Sequence, residues 1–148
     1  DIGTGGGFPG IPITILRPLL RGVLADSTGK KIDAVSEFIK KLKLSNATAV
    51  NARVESPEFI EKYKESFDLF VSRATVPVIV LVRYAIPLMK EKAKILALKG
   101  GDVDEEIKTA ETKYKSTIKK ATVVDLKYKP SNVRNEKDKK LIILELMK

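Results

Sequence analysis

Asp1-Ile2-Gly3-Thr4-Gly5-Gly6-Gly7-Phe8-Pro9-Gly10-Ile11-Pro12 is the stretch on which the reading of the fold turns. Glycine lets the backbone take positive φ and lets a ligand approach where a Cβ would stand. Pro9 and Pro12 fall where the first turn of a helix tolerates a missing N–H, so Phe8 to Leu16 reads as a short helix ended near Arg17-Pro18. Its free N–H groups point back at the glycine turn. The next apolar run, Arg21 to Ala25, reads as a strand closed by Asp26, a carboxylate placed to accept hydrogen bonds from a ribose diol. Turn, helix and acid together describe a nucleoside site at the carboxyl edge of a sheet.

Outward from this stretch, strands and helices alternate. Ser27 can cap a helix carrying Ile32, Val35, Phe38, Ile39 and Leu42 at helical spacing, with lysines on its other face. Ala47 to Ala52 reads as a strand, and Ser56-Pro57-Glu58 opens a helix with Ser56 as cap. Phe67 to Ser72 reads as a strand, Pro77 to Met89 as a helix and Lys94 to Leu98 as a strand. A charged helix starts at Asp102 or Asp104 and reaches Tyr114; strands follow at Thr122 to Lys127 and Leu141 to Leu146, joined by a polar, basic loop. Alternation predicts an α/β fold with a mostly parallel sheet and helices on both faces. The last connection lacks room for a helix, so the final two strands should pair antiparallel. A glycine turn of this kind normally follows a strand, so residues 1–148 are expected to be a single domain whose opening strand is truncated. Loss of that central strand would expose two inner sheet edges and predicts poor stability, dimerisation or strand exchange.

Composition narrows the chemistry. The 148 residues include neither cysteine nor histidine. That excludes a disulfide framework, a thiolate nucleophile, a Cys/His zinc site and a Ser-His-Asp triad, and the expectation is that no metal is used. Hydrophobic residues make up 43% and charged residues 32%, the balance of an ordinary globular chain. No apolar run reaches the roughly 18 residues of a membrane span, and no signal peptide is visible. With the absence of cysteine, this predicts a cytoplasmic protein with no membrane partner. The net charge of +9 points to a polyanionic partner, RNA or DNA first. Residues 90–148 carry 16 basic and 10 acidic side chains, against 12 and 9 in residues 1–89.

The turn leaves two nucleosides open. Gly5-x-Gly7-x-x-Gly10 formally matches the dinucleotide fingerprint, and Asp26 lies 21 residues beyond Gly5, as a nicotinamide-dependent oxidoreductase would have it. Asp1-x-Gly3-x-Gly5 instead offers an acidic group to the cationic methionine end of S-adenosylmethionine. Pro9 is also awkward where a pyrophosphate would seek helix N–H donors.

Asp1 to Pro12 resembles the cofactor loop of the RsmG (GidB) family of bacterial 16S ribosomal RNA methyltransferases, which modify N7 of a guanine. The resemblance continues through Asp26-Ser27-Thr28-Gly29-Lys30-Lys31, Ala52-Arg53-Val54-Glu55, Phe67-Asp68 with Ser72-Arg73-Ala74, and Leu96-Ala97-Leu98-Lys99-Gly100. The blocks occur in family order from Asp1 to about Gly100; beyond that only a pattern of two strands and a basic loop is shared. The family also carries an N-terminal helical region and a first strand that this sequence lacks. The resemblance implies a Rossmann-like methyltransferase fold with S-adenosylmethionine as cofactor. It implies cofactor contacts at Gly3, Gly5 and Phe8, the ribose at Asp26 and the adenine beside Val54 and Glu55. Arg73 would lie next to both cofactor and target base. Val54 replaces the family's usual alanine.

Such a reaction suits these residues. Guanine N7 carries a lone pair and no proton, so neither a general base nor a covalent intermediate is needed, and catalysis can rest on positioning and electrostatics. The Asp/Asn-Pro-Pro-aromatic motif of amino-group methylases is missing; the chain reads Ser72-Arg73-Ala74-Thr75-Val76-Pro77. Arg73 is the expected catalytic residue on the substrate side, since a guanidinium can bond guanine O6 or hold a phosphate; its competing role is an ion pair with Glu55 or Asp68. Arg53, Lys99, Lys129 and Arg134 are candidate contacts to 16S ribosomal RNA or the small subunit, within a basic rim that also includes Lys127, Lys137, Lys139 and Lys140. Tyr128 is available for base stacking. The alternatives are a nicotinamide-dependent oxidoreductase fragment and a non-catalytic RNA-binding remnant.

Overall fold

In the computed structural model, which describes residues 1–73, 76–126 and 138–148, the first helix starts later than its sequence pattern suggests. The amides of Gly7 and Phe8 both turn back to Thr4 O, at 2.9 and 3.2 Å, and close a turn before a helix can begin. The Phe8–Pro9 peptide is cis, Pro9 stands at the N-cap, and α1 is Gly10–Leu16. There follow β1 (Gly22–Asp26), α2 (Gly29–Lys41), β2 (Ala47–Asn51), α3 (Pro57–Tyr63), β3 (Phe67–Arg73), α4 (Val78–Leu88), β4 (Met89–Gly100), α5 (Asp104–Lys113), β5 (Ile118–Leu126) and β6 (Lys139–Met147). Strand and helix therefore alternate as far as β5, and the next described element is the strand β6.

The elements form two compact units, Asp1–Lys64 with Val71–Thr75 and Glu65–Phe70 with Val76–Lys148. In the first, β1 and β2 pair in parallel, with Gly22 opposite Ala47 and Asp26 opposite Asn51. The opening strand is represented by the first residues themselves. Ala25 N donates to Asp1 O at 3.0 Å, Ile2 N donates to Val71 O at 2.9 Å, and Ile2 bridges in parallel to both Ala25 and Ser72. Asp1 and Ile2 thus run extended between β1 and the carboxyl end of β3. Ile11, Leu24 and Val35 form the core, and Ile39, Leu44, Ala47 and Ala49 pack on it. The buried stripe of α2 is narrower than its sequence suggests, for Phe38 is 46% and Leu42 is 52% exposed.

The end of α2 explains part of that packing. Lys43 N donates to Lys40 O and Leu44 N to Ile39 O, the paired bonds of a Schellman motif, which folds Leu44 back onto the core beside Ile39. The motif needs a left-handed residue, and Lys43 supplies it at φ 52°.

In the second unit the sheet order is β3–β4–β6–β5, with Phe67–Phe70 as the part of β3 that belongs there. The expected antiparallel pairing of the last two strands is present, and β6 is antiparallel to β4 as well. Val78, Leu81, Val82, Ala85 and Leu88 recur at helical spacing and bury one face of α4, which packs on β4 and α5. Met89, Ala93, Ile95 and Ala97 of β4 and Ile142, Leu144 and Leu146 of β6 are buried. β4 runs well outside the apolar stretch that announced it, because Lys90, Glu91, Lys92 and Lys94 occupy exposed positions of a strand whose Ala93 and Ile95 are buried.

Lys43→Gly should stabilise the chain. Glycine removes a left-handed cost of about 1–2 kcal/mol and adds a chain-entropy cost of about 0.5–1 kcal/mol. A gain of up to about 1 kcal/mol should appear in urea as a higher midpoint at unchanged slope.

Candidate functional site

Two carboxylates organise the glycine turn. Asp1 Oδ2 accepts from Thr4 Oγ1 at 2.7 Å and from Gly10 N at 2.9 Å, so it joins the start of the turn to the start of α1. Asp1 Oδ1 is buried with no hydrogen-bond partner among the described residues. Asp26, 9% exposed at the end of β1, accepts from Gly5 N through Oδ2 and from Thr28 N through Oδ1, each at 2.9 Å. Gly5 sits at φ 56°, and nothing lies within 4 Å of where its Cβ, or that of Gly6, would be. Gly10 is small for a different reason: a Cβ there would stand 2.7 Å from Leu24 and 2.8 Å from Asp1 Oδ2.

Burial works to raise the Asp26 carboxyl, but the Thr28 and Gly5 amides, the Thr28 hydroxyl and the charge of Lys31 outweigh it and hold the group below its ordinary 3.8. Asp26 is therefore ionised at neutral pH. Its two oxygens offer about four acceptor sites, more than these internal bonds use, so Asp26 keeps capacity for another donor.

Parallel pairing sets Asp26 beside Asn51, and Ala52 N continues the ladder to Asp26 O at 3.1 Å. Val54 follows in the next turn, 7% exposed. Ser56 caps α3 as expected, its Oγ accepting from Phe59 N at 3.3 Å with Pro57 in the first turn. Ser27 does not cap α2. Thr28 holds that N-cap position without a side-chain cap bond, and the Asp26 side chain receives the Thr28 amide instead. Arg73 ends β3, one residue beyond the bridge from Ser72 to Ile2. Its guanidinium carbon is 6.0 Å from the centre of the Phe8 ring.

Gly3, Gly5, Phe8, Asp26, Val54, Glu55 and Arg73 therefore all belong to the first unit, in its opening turn or at the carboxyl ends of its strands. Neither expected acidic partner of Arg73 pairs with it: Glu55 faces Arg53 at 3.8 Å and Asp68 faces Lys90 at 3.6 Å. The Arg53–Glu55 pair is exposed on both sides and contributes little stability. Lys99 belongs to the second unit. Its ammonium, on a side chain 14% exposed, donates to Val76 O at 2.6 Å and meets Glu106 at 2.9 Å, so it is committed inside the fold rather than presented to a phosphate. Lys127, Tyr128, Lys129, Arg134 and Lys137 lie outside the described residues. Lys140 faces Asp125 at 4.0 Å.

The sequence reading missed Thr28 and Asn46. The first was visible as Asp26-x-Thr28, the spacing at which an Asx turn forms. Asn46 Nδ2 donates to Thr14 O and Leu20 O, both at 2.9 Å, and fastens the α1–β1 connection, a contact with no local signature. Among the described residues there is no cluster of acidic side chains able to hold a metal, and no helix is long and apolar enough to cross a membrane.

A carboxyl held below its ordinary value contributes stability that is complete above the ordinary range and is lost as pH falls through the folded value. The urea midpoint should thus hold above about pH 4, given the ordinary 3.8, and decline below it. Asp26→Asn should lower the midpoint most at neutral pH, and its difference from the wild type should shrink on acidification. A constant difference from pH 7 to pH 2.5 would show that Asp26 does not act through its charge.

Two solved structures share the fold at low sequence identity. TYW2 of M. jannaschii, crystallised with AdoMet, has a TM-score of 0.74 at 15% identity over 100% of this chain and 67% of its own. A precorrin-6y C5,15-methyltransferase from Geobacter metallireducens GS-15 has a TM-score of 0.66 at 16% identity over 100% of this chain and 78% of its own. The fold is Rossmann-like, of the methyltransferase type. Two curated relatives named ribosomal RNA small subunit methyltransferase G are closer in sequence. That of Desulfitobacterium hafniense (strain Y51) is 41% identical over 97% of this chain and 59% of its own length. That of Chlorobium chlorochromatii (strain CaD3) is 47% identical over 73% and 44%. The chain spans about half the length of the curated relatives it matches. The sequence profile of GidB, described as rRNA small subunit methyltransferase G, matches residues 1–135, and the chain belongs to that family.

Proposed function

We propose that the protein carrying this chain transfers a methyl group from S-adenosylmethionine to N7 of a guanine in 16S ribosomal RNA, in the cytoplasm. The observation that carries this reading is the tie between Asp26 and Gly5 beneath an open glycine turn. The residues present fit the cofactor. Gly5 and Gly6 leave clear the space that side chains would fill. Asp26 is ionised and retains acceptor capacity for a ribose diol, and Val54 and Glu55 follow the adjacent strand where an adenine would lie. The cofactor supplies an electrophilic methyl group on a sulfonium. The chain's own work is to hold and orient: Asp26 and the turn at the nucleoside, Arg73 at the substrate side.

No residue here need move a proton, because guanine N7 has none to lose; this agrees with a chain that contains no histidine or cysteine. Arg73 would donate to guanine O6 from a position beside the turn, and an arginine without a carboxylate partner among the described residues suits that role. Arg53, Lys129 and Arg134 are proposed contacts to the RNA backbone. Lys99 is left out, since its ammonium is already paired. The nicotinamide alternative loses its support with membership of a methyltransferase family.

Calorimetric titration with S-adenosylhomocysteine, with NADH as control, tests the cofactor. Saturable binding of S-adenosylhomocysteine alone is expected. Binding of NADH alone overturns the proposal, and binding of neither favours the non-catalytic remnant. Asp26→Ala should weaken S-adenosylhomocysteine at least tenfold. Arg73→Ala should leave that affinity within a few-fold and lower guanine methylation of 16S ribosomal RNA by at least a hundredfold; undiminished methylation would remove Arg73 from the site.

A further inference from the structure

The peptide Val76-Pro77-Val78 is held at both ends by charges that come from elsewhere in the second unit. Lys99 Nζ donates to Val76 O at 2.6 Å, and Val78 N donates to Glu106 Oε1 at 2.6 Å. The two charged groups meet each other at 2.9 Å, on side chains 14% and 26% exposed. Between the two anchored backbone groups stands Pro77, which has no N–H and whose ring holds φ at −54°. Pro77 is also the N-cap of α4 and makes no side-chain cap bond. Glu106, from the first turn of α5, therefore supplies the acceptor that the buried Val78 amide needs, at a helix end where negative charge is favoured.

Stability alone does not call for this arrangement. A cap within the segment would satisfy the same amide, as Ser56 does for α3. Drawing two opposite charges partly out of water adds little net stability. What the pair does provide is a fixed position for Val76 and Val78. Val76 lies three residues beyond Arg73, and three extended residues span at most about 11 Å.

We infer that Glu106, together with Lys99, is a positioning residue for the methyl transfer, acting through the chain that leads back to Arg73. The inference rests on the methyltransferase reading for its reaction and deepens it by naming the pair that restrains the substrate-side arginine. Upstream, Arg73 follows Ser72, which bridges to Ile2; downstream, the Lys99–Glu106 pair fixes the backbone on either side of Pro77. Arg73 is thus tethered on both sides although no carboxylate holds its guanidinium. A reaction that relies on placement is sensitive to such a tether, since a misplacement of about 1 Å can cost about a hundredfold.

Trypsin reads the tether without any reaction, because Arg73 is followed by Ala74 and is a cleavable site. Glu106→Ala should raise the rate of cleavage after Arg73 at least tenfold under native conditions and leave cleavage after Lys41 within about twofold. Glu106→Gln keeps an acceptor for Val78 N but loses the charge that meets Lys99, and should give a smaller rise. In methylation of 16S ribosomal RNA by the protein carrying this chain, Glu106→Ala should lower kcat at least tenfold, and Glu106→Gln less. KM for RNA and affinity for S-adenosylhomocysteine should stay within about twofold. In an Arg73→Ala background Glu106→Ala should cost no more than about twofold, as expected of residues that act as a unit. An equal loss in both backgrounds would make Glu106 a structural residue only and overturn the inference, as would unchanged cleavage after Arg73 in both variants. The two readings fail differently. A wild type that neither binds S-adenosylhomocysteine nor methylates would remove the reaction and this role with it. A wild type that methylates, with Glu106 variants that methylate as fast, would retain the reaction and remove the role alone.

Discussion

One ionised carboxylate sets the geometry of the site. Asp26 closes β1, and its two oxygens reach in different directions, one to the glycine turn at Gly5 and one to the start of α2 at Thr28. Hydrogen bonds to a charged acceptor contribute roughly 1.5–3 kcal/mol each, and losing the acceptor would strand two backbone donors. Through Gly5 the tie fixes a loop that has no side chains of its own with which to hold a shape. Through Thr28 it fixes where α2 begins, and hence how Ile32 and Val35 are delivered to the core. Asp1 performs a parallel service between Thr4 and Gly10. A turn rich in glycine is usually soft; this one is held from below by two acids.

The same arrangement separates holding from recognising. Asp1 is spent largely within the protein, whereas Asp26 retains acceptor capacity and Phe8 and Arg73 keep exposed surface. A reaction without a proton to move makes few demands on side-chain chemistry and many on placement. The first unit is suited to such a task, with its functional groups set at the ends of paired strands rather than on long loops.

Much of this was legible in the sequence, where local physics and tertiary outcome agree. The glycine spacing, Asp26 after an apolar run, and Ser56-Pro57 before a helix each name a backbone event, and each event occurs. What escaped depends on contacts made at a distance. The Phe8 to Leu16 helix begins at Gly10 because Thr4 O captures the amides of Gly7 and Phe8. β4 reaches from Met89 to Gly100 because its lysines tolerate exposure beside a buried row, which a search for apolar runs does not see. Lys99 looked available beside Gly100-Gly101, yet Val76 O, just before α4, and Glu106, in α5, had already taken its ammonium. Charge in a sequence shows that a partner is needed; it does not say whether that partner is internal.

The strand order of the second unit carries a consequence for biosynthesis. β6 lies between β4 and β5 and is antiparallel to both, so these two strands, made earlier, share a neighbour that is made later. As the chain leaves a ribosome, the edges of β4 and β5 that face β6, at Ile95 and Ala97 on one side and Ile118 and Ala121 on the other, stay open until Leu141–Leu146 emerges. The alternating order that lets the first unit assemble from near neighbours is absent here, and the closing step joins residues far apart in sequence, as in slow-folding β topologies. A nascent chain halted before Lys139 would hold two unpaired strand edges, so a premature stop so close to the end of these 148 residues would remove the middle of a sheet rather than a tail.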